Sequence, residues 1–221
     1  MLRTDVINHL IKTYGFERYL EIGVFDFENF DKIDCKYKYW CDPEPRNRDR
    51  SLPFTEGEVG GYILTSDRMF ELFELEERYK DIKSKFDIIF IDGLHFAEQV
   101  KRDLENSIRY LNFNGYIIVH DCNPAIKELA TEKWILPEWC GTVWKGYSEW
   151  CVSNIHRIDY YTIDTDYGVG VVKNKSVTTE PLYNHKDISW EDFDLYRRDY
   201  LNLISKEQFL KGEIKSNNII V

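Results

Sequence analysis

Phe86-Asp87-Ile88-Ile89-Phe90-Ile91-Asp92-Gly93-Leu94-His95 is the stretch on which the fold turns. Ile88 to Ile91 is a short apolar run without alternation, the pattern of a central strand in a parallel sheet covered by helices on both faces. Its exit is polar. Ligands of open α/β sheets sit in the crevice outside the carboxyl ends of the strands, so Asp92 and His95 are delivered to that crevice. Gly115 to Val119 reads as a second strand that ends in the same way, in His120 and Asp121.

Towards the amino terminus, Val6, Ile7, Leu10, Ile11 and Tyr14 share one helical face and Gly15 stops them, predicting an amphipathic helix over the sheet edge. Arg18 to Val24 is the first strand and runs into Glu21-Ile22-Gly23-Val24-Phe25-Asp26-Phe27. Glycine at a strand's carboxyl end lets the backbone approach a ligand closely. The strand Tyr37 to Cys41 then ends in Asp42, placed to accept hydrogen bonds from the two hydroxyls of a ribose. Residues 44–61, rich in proline, glycine and charge, read as a surface excursion. Tyr62 to Thr65 is expected as a third strand and Ser66 to Lys80 as a helix.

On the other side, Val100, Leu104, Ile108 and Leu111 make Ala97 to Leu111 a helix packed on the sheet, and Asn114-Gly115 makes the turn into the next strand. Asn123-Pro124 starts a helical region whose dense aromatics, Trp134, Trp139, Trp144, Tyr147 and Trp150, read as a substrate wall or a packed sub-core, packing being favoured for most of them. Arg157 to Ile163 and Val169 to Lys173 flank Asp164-Thr165-Asp166-Tyr167-Gly168 as an antiparallel hairpin. Ser189 and Asp192 resemble a capping box before a last helix with Phe193, Tyr196, Tyr200, Leu201 and Ile204 as its apolar stripe. Core cover and a homo-oligomer contact both explain that stripe.

The chain of 221 residues suits one α/β domain with appendages, expected as 1–175 with a helical extension over 176–221. A formal charge of -10 gives no footprint for nucleic acid. Without a membrane span or signal peptide in the reading, the expected place is cytoplasmic. The five cysteines show no CxxC pair and read as small buried hydrophobes, not as a zinc site or disulfide framework.

With these residues placed, Tyr19 to Lys173 resembles a class I S-adenosylmethionine-dependent methyltransferase. Glu21-Ile22-Gly23 matches the first motif of that family, Asp42 its ribose acid, and Ser66-Asp67 the region beside the adenine. Phe27 stands where the family often has a further glycine. Ile91 to His95, His120 to Pro124, Trp144-Lys145 and Asp166 to Gly170 together resemble a bacterial branch associated with sugar and polysaccharide methylation. The chain is more distantly similar to metal-dependent O-methyltransferases of the catechol and macrolide-sugar types.

The resemblance implies a Rossmann-like fold: a seven-stranded, mostly parallel sheet with one antiparallel strand and helices on both faces. It implies S-adenosyl-L-methionine held by Glu21, Gly23, Asp42, Ser66, Asp67 and Asp92, with a small-molecule or sugar acceptor. Catalysis falls to His95, Asp92 and His120, with His95 as general base, an imidazole whose ordinary pKa of about 6.5 leaves it mostly neutral near pH 7. Asp92 and Asp121 are the implied ligands of Mg2+ or another divalent cation, although Cys122 stands where the catechol type has an amide ligand. Competing readings are an NAD(P)-dependent oxidoreductase, which a full GxGxxG would favour, and a non-catalytic nucleoside-binding protein.

Overall fold

The computed structural model describes residues 1–46, 59–75, 85–175 and 186–214. Its centre is the strand Phe86–Ile91 (β4), which pairs in parallel with Arg18–Ile22 (β1) on one side and Leu111–Val119 (β5) on the other. Tyr37–Cys41 (β2) and Val59–Tyr62 (β3) continue the parallel sheet beyond β1. Past β5 lie Val169–Asn174 (β7), antiparallel to both its neighbours, then Ile158–Ile163 (β6) and the short Leu203–Ile204 (β8). The spatial order is therefore β3-β2-β1-β4-β5-β7-β6-β8.

Period-two alternation splits these strands between two buried layers. Leu20, Ile22, Ile89, Ile91, Ile117 and Val119 face the helices Ser66–Leu75 (α3), Ala97–Arg109 (α4) and Val143–Ser153 (α5). Tyr19, Ile88, Phe90, Tyr116 and Ile118 face Arg3–Tyr14 (α1), the short Glu28–Asp31 (α2) and Lys206–Lys211 (α7). Helix α1 thus lies on a sheet face, not over an edge. It buries Val6, Ile7, Leu10 and Ile11 and closes on Gly15 at φ 68°.

Four expectations shift. The sheet has eight strands instead of seven, because Asn202 at φ 44° ends Trp190–Leu201 (α6) and Ile204 leaves the expected helical stripe to pair in β8. β3 lies earlier than Tyr62–Thr65 and contains Gly60 and Gly61. A Cβ on Gly61 would stand 2.0 Å from the buried Trp40 ring, so glycine is there for that contact, although in sequence it reads as loop. Asn114, at φ 66°, lies inside β5 at a register shift rather than in a turn before it. After Pro124 the first regular piece is only the 3-10 turn Lys127–Leu129, and α5 follows at Val143. The expected helix to Lys80 is seen to Leu75, and residues 76–80 and most of the 44–61 excursion fall outside the described residues.

The last helix belongs to the same packing: α6 buries Phe193 and Leu201 in the α4–α5 layer, and Phe209 of α7 lies in the α1 layer. Among the described residues no helix is long and apolar enough to cross a membrane.

Helices α4 and α5 meet at Gly146, where an added Cβ would come within 2.5 Å of the Ala97 carbonyl oxygen. Gly146→Ala gains helix propensity but must push α5 off α4. Thermal denaturation is expected to show a net loss of about 1–3 kcal/mol from overpacking; the gain of up to about 1 kcal/mol that propensity alone predicts would contradict the contact.

Candidate active site

A cavity of about 590 Å3 runs along the carboxyl ends of β1, β2 and β4, lined by Glu21, Gly23, Asp42, Ser66, Asp92 and His95 among others. That volume lies within the range of small-molecule sites. Gly23 sits at φ 88°, and an added Cβ would stand 2.2 Å from the Asp92 carbonyl oxygen. Only glycine lets β1 and β4 end so close together. Asp42 Oδ2 accepts the Phe25 N–H at 2.9 Å and Oδ1 accepts the Glu44 N–H at 2.8 Å, so the acid at the end of β2 braces the turn after β1. In that turn Phe27 adopts φ 70°, the left-handed conformation a glycine adopts freely. Its ring is buried edge-on to Trp40, which holds the strained backbone in place.

Glu21 is buried beneath α1 and α2, where Tyr19 Oη donates to its Oε2 at 2.5 Å and Asn29 Nδ2 at 3.1 Å. Burial pushes its pKa up to about 8 despite these donors, and nearby Asp92 adds to the shift. Beyond β3, Ser66 Oγ donates to Asp103 Oδ1 at 2.6 Å, and Gln99 Nε2 donates to both, at 3.2 and 3.0 Å. Gln99 and Asp103 also line the cavity, and burial raises the Asp103 carboxyl to about 6. Asp67 does not line it. Its carboxylate pairs with Arg102 at 3.3 Å.

At the other end three carboxylates converge. Asp92 follows β4, Asp121 follows β5 at φ 60°, and Asp166 projects from the β6–β7 turn at φ 48°. His120 lies among them: Nδ1 is 3.3 Å from both Asp92 Oδ1 and Asp121 Oδ1, and Nε2 is 3.5 Å from Asp166 Oδ2. Arg3, the first residue of α1, closes the group, 3.6 Å from Asp92 and 3.2 Å from Asp166. Burial alone would lower the His120 pKa, yet Asp92, Asp121 and Asp166 hold it well above the ordinary histidine value. Asp92 is correspondingly held well below the carboxylate range, burial being outweighed by His120 and His95, and Asp166 is lowered to about 2.

His95 occupies the cavity side of this cluster. Its Nε2 lies 3.4 Å from Asp92 Oδ1, its Nδ1 3.4 Å from Asp121 Oδ2 and 3.2 Å from the Trp139 carbonyl, and the Trp139 indole stacks on its ring at 5.3 Å. Gly141, at φ 61°, lets the chain pass so near that a Cβ would stand 2.2 Å from the His95 oxygen. The cap of α4 is supplied by Thr142, whose Oγ1 accepts the Ala97 N–H at 2.8 Å, so His95 is free of that duty. Burial lowers its pKa, but Asp92 and Asp121 outweigh burial and leave it raised.

Of the residues expected from sequence, Glu21, Gly23, Asp42, Ser66, Asp92 and His95 share the cavity, while His120 and Asp121 stand behind its wall and Asp67 outside it. Sequence reading missed Arg3, Gln99, Asp103, Trp139 and Asp166. Gln99 and Asp103 carried a signal, two polar residues one turn apart on the apolar face of α4.

Asp92, His95 and Asp121 offer atoms within 4.8 Å of one another, the one group with metal-ligand spacing among the described residues. Mg2+ calls for a nearly all-oxygen octahedral shell. Here one of the three donors is an imidazole, and Arg3 and His120 already press positive charge on Asp92. Cys122 adds no ligand, since its thiol is buried and points at the Val119 and His120 carbonyls. The site does not fit magnesium.

Residues 39–122 match a family model described as a methyltransferase domain. That stretch begins at β2 and excludes Glu21 and Gly23. No curated protein sequence matches the chain. Among solved structures, an O-methyltransferase from Bacillus cereus in complex with SAH is similar at TM-score 0.56 and 15% identity, covering 78% of this chain and 80% of that one. SAH-bound methyltransferase PaMTH1 of Podospora anserina aligns at TM-score 0.56 and 16% identity over 79% and 78%. An O-methyltransferase from Streptomyces achromogenes involved in tomaymycin synthesis, in complex with SAM, aligns at TM-score 0.55 and 11% identity over 79% and 80%. At these identities the likeness establishes the fold, the α/β Rossmann-like methyltransferase fold.

The raised Glu21 pKa has a measurable sign. Native protein keeps a proton that the unfolded chain releases near pH 4.5, so this group's contribution to stability falls as pH rises towards about 8. Glu21→Gln, which copies the protonated form, is expected to flatten that decline in denaturant titrations between pH of about 5 and about 8. An unchanged slope would mean that Glu21 is already ionised in the native protein.

Proposed function

We propose that the chain is an S-adenosylmethionine-dependent O-methyltransferase whose acceptor is a small hydroxylated molecule, a sugar or glycan precursor. The observation that carries the reading is a cavity with a glycine turn and a strand-end acid along it and an oriented imidazole at its end. Bound S-adenosylmethionine supplies a methyl group activated on a sulfonium. Gly23 gives it backbone access, Asp42 accepts from its ribose hydroxyls, and Ser66 with Gln99 and Asp103 meets its adenine. Asp92 and Glu21 face its cationic end.

His95 takes the proton from the acceptor hydroxyl. A carbonyl can only accept, so the Trp139 oxygen fixes hydrogen on Nδ1 and leaves Nε2 as the basic nitrogen. Asp92, 3.4 Å from Nε2, stabilises the imidazolium that forms. His120 is a positioning residue in this reading: it is enclosed by Asp92, Asp121, Asp166 and Arg3 and does not line the cavity. The donor set argues against magnesium, and no step needs a metal.

Calorimetry is expected to show binding of both S-adenosylmethionine and S-adenosylhomocysteine, weakened by Asp42→Ala. Heat only with a nicotinamide dinucleotide would replace this reading by an oxidoreductase. His95→Gln is expected to lower kcat by about 10²- to 10⁴-fold while keeping S-adenosylhomocysteine affinity. Because the imidazole acts unprotonated and its pKa is raised, wild-type kcat/KM should climb as pH rises through a value above about 6.5, and the variant should lose that limb. Near wild-type turnover by the variant would remove His95 from the role.

A strong chelator followed by dialysis is expected to leave activity intact. Loss of activity that an added divalent cation restores would return the metal to Asp92 and Asp121.

A further inference from the structure

A second cavity of about 810 Å3 lies between the β6–β7 turn and α6, behind the carboxylate cluster. Asp166 belongs to its lining, and the same carboxylate contacts His120 and Arg3, which in turn contact Asp92 in the first cavity. Arg3 and His120 thus connect Asp166 of this cleft to Asp92 of the first cavity.

The two walls carry Tyr167 and Tyr196, 40% and 50% exposed. Among the described residues neither ring stacks on another and neither hydroxyl is hydrogen-bonded, so both faces are open. Each sits on irregular backbone. Tyr167 follows Asp166 in a second left-handed position, φ 58°, and Tyr196 breaks α6 at φ -114°, ψ 22°. Consecutive non-glycine residues at positive φ are strained and persist only where other contacts hold them. Here the 166–168 turn is fastened to the 121–123 turn: Cys122 N–H donates to the Gly168 oxygen at 3.0 Å and Asn123 N–H to the Tyr167 oxygen at 2.7 Å.

The charges on the walls are Asp164, Asp166, Asp194 and Asp199 against Arg197 and Arg198. Arg197 is spent on Asn123, the Pro124 carbonyl and Asp194, and Asp166 on Arg3 and His120, which leaves Asp164 and Asp199 against Arg198. What remains is a net acidic cleft with two open aromatic faces, the set that pairs carboxylates with hydroxyl or ammonium donors and stacks rings on tyrosine. It disfavours phosphate.

We infer that this cleft holds the non-reacting part of the acceptor, a polyhydroxylated ring system that is cationic or neutral and carries no phosphate. This deepens the methyltransferase reading and rests on it for the word acceptor, but the cleft's binding chemistry stands on its own residues. Contacts there lie remote from the reacting oxygen, and such contacts supply binding energy for orientation at the reacting centre.

The test uses saturation-transfer NMR on the full chain with tri-glucosamine as cationic probe, maltotriose as neutral, UDP-glucose as anionic, and a lysine-rich tetrapeptide as a basic non-sugar. Tri-glucosamine is expected to bind best and UDP-glucose not at all. Tyr196→Ala and Tyr167→Gly, the latter suited to the local φ, are each expected to weaken tri-glucosamine by roughly two- to thirtyfold. S-Adenosylhomocysteine affinity should stay within about twofold in both variants, showing an intact fold. Preference for UDP-glucose, preference for the tetrapeptide, no sugar binding, or sugar binding indifferent to both variants would each overturn the inference. Loss of S-adenosylhomocysteine binding in the wild type, with tyrosine-dependent sugar binding kept, would overturn the methyltransferase reading and leave the cleft.

Discussion

Three carboxylates, Asp92, Asp121 and Asp166, are carried to one place by the ends of β4 and β5 and the β6–β7 turn, and the structure must cancel their repulsion. Arg3, His95 and His120 do so by direct contact. Removing one partner from such a set leaves a buried charge unopposed, a cost of several kcal/mol, so each position constrains the others. Arg3 is also the first residue of α1. The apolar packing of Val6, Ile7, Leu10 and Ile11 on the sheet therefore places the guanidinium, and core packing and site electrostatics are one construction.

That constraint divides the histidines. His120 is enclosed by carboxylates and Arg3, which hold its pKa well above the ordinary histidine value, whereas His95 reaches the cavity with one nitrogen fixed by a carbonyl, its ring stacked on Trp139 and its backbone packed against Gly141. On the methyltransferase reading, the same side-chain type takes two roles because its surroundings differ. Backbone strain is concentrated at the same place, at Asp121, Asp166 and Tyr167, where two turns are fastened to each other by backbone hydrogen bonds.

Much of the sheet was legible because a strand buried on both faces leaves a continuous apolar run, as in Ile88 to Ile91, and because glycine and acid mark the strand ends. The strand at Val59–Tyr62 was hidden by two glycines, and the reason for one of them, Gly61, is a tryptophan some 20 residues away in sequence. β8 was hidden because Ile204 fits the helical spacing and only the left-handed Asn202 breaks it. The site was half legible. Asp92, His95, His120 and Asp121 stand beside strands and declare themselves, but Arg3 and Asp166 are 163 residues apart and meet only through the docking of α1. No local pattern encodes such a pair.

Cys122 shows how a strand-end residue next to the chemistry can be excluded from it. Asp121 at φ 60° turns the chain so that the following side chain points into the core, and the Cys122 N–H is taken by the Gly168 carbonyl. A Cβ on Gly170 would stand 2.8 Å from the sulfur, so the thiol is packed against the neighbouring strand, and burial pushes its pKa well up. A buried thiol so disposed is neither a nucleophile nor a ligand for a hard cation. With that position closed, and with Arg3 and His120 already in contact with Asp92, the oxygen donors that magnesium prefers are few here. On the methyltransferase reading, orientation of the acceptor oxygen then falls to Asp92, to Asp121 behind it and to the imidazole they hold.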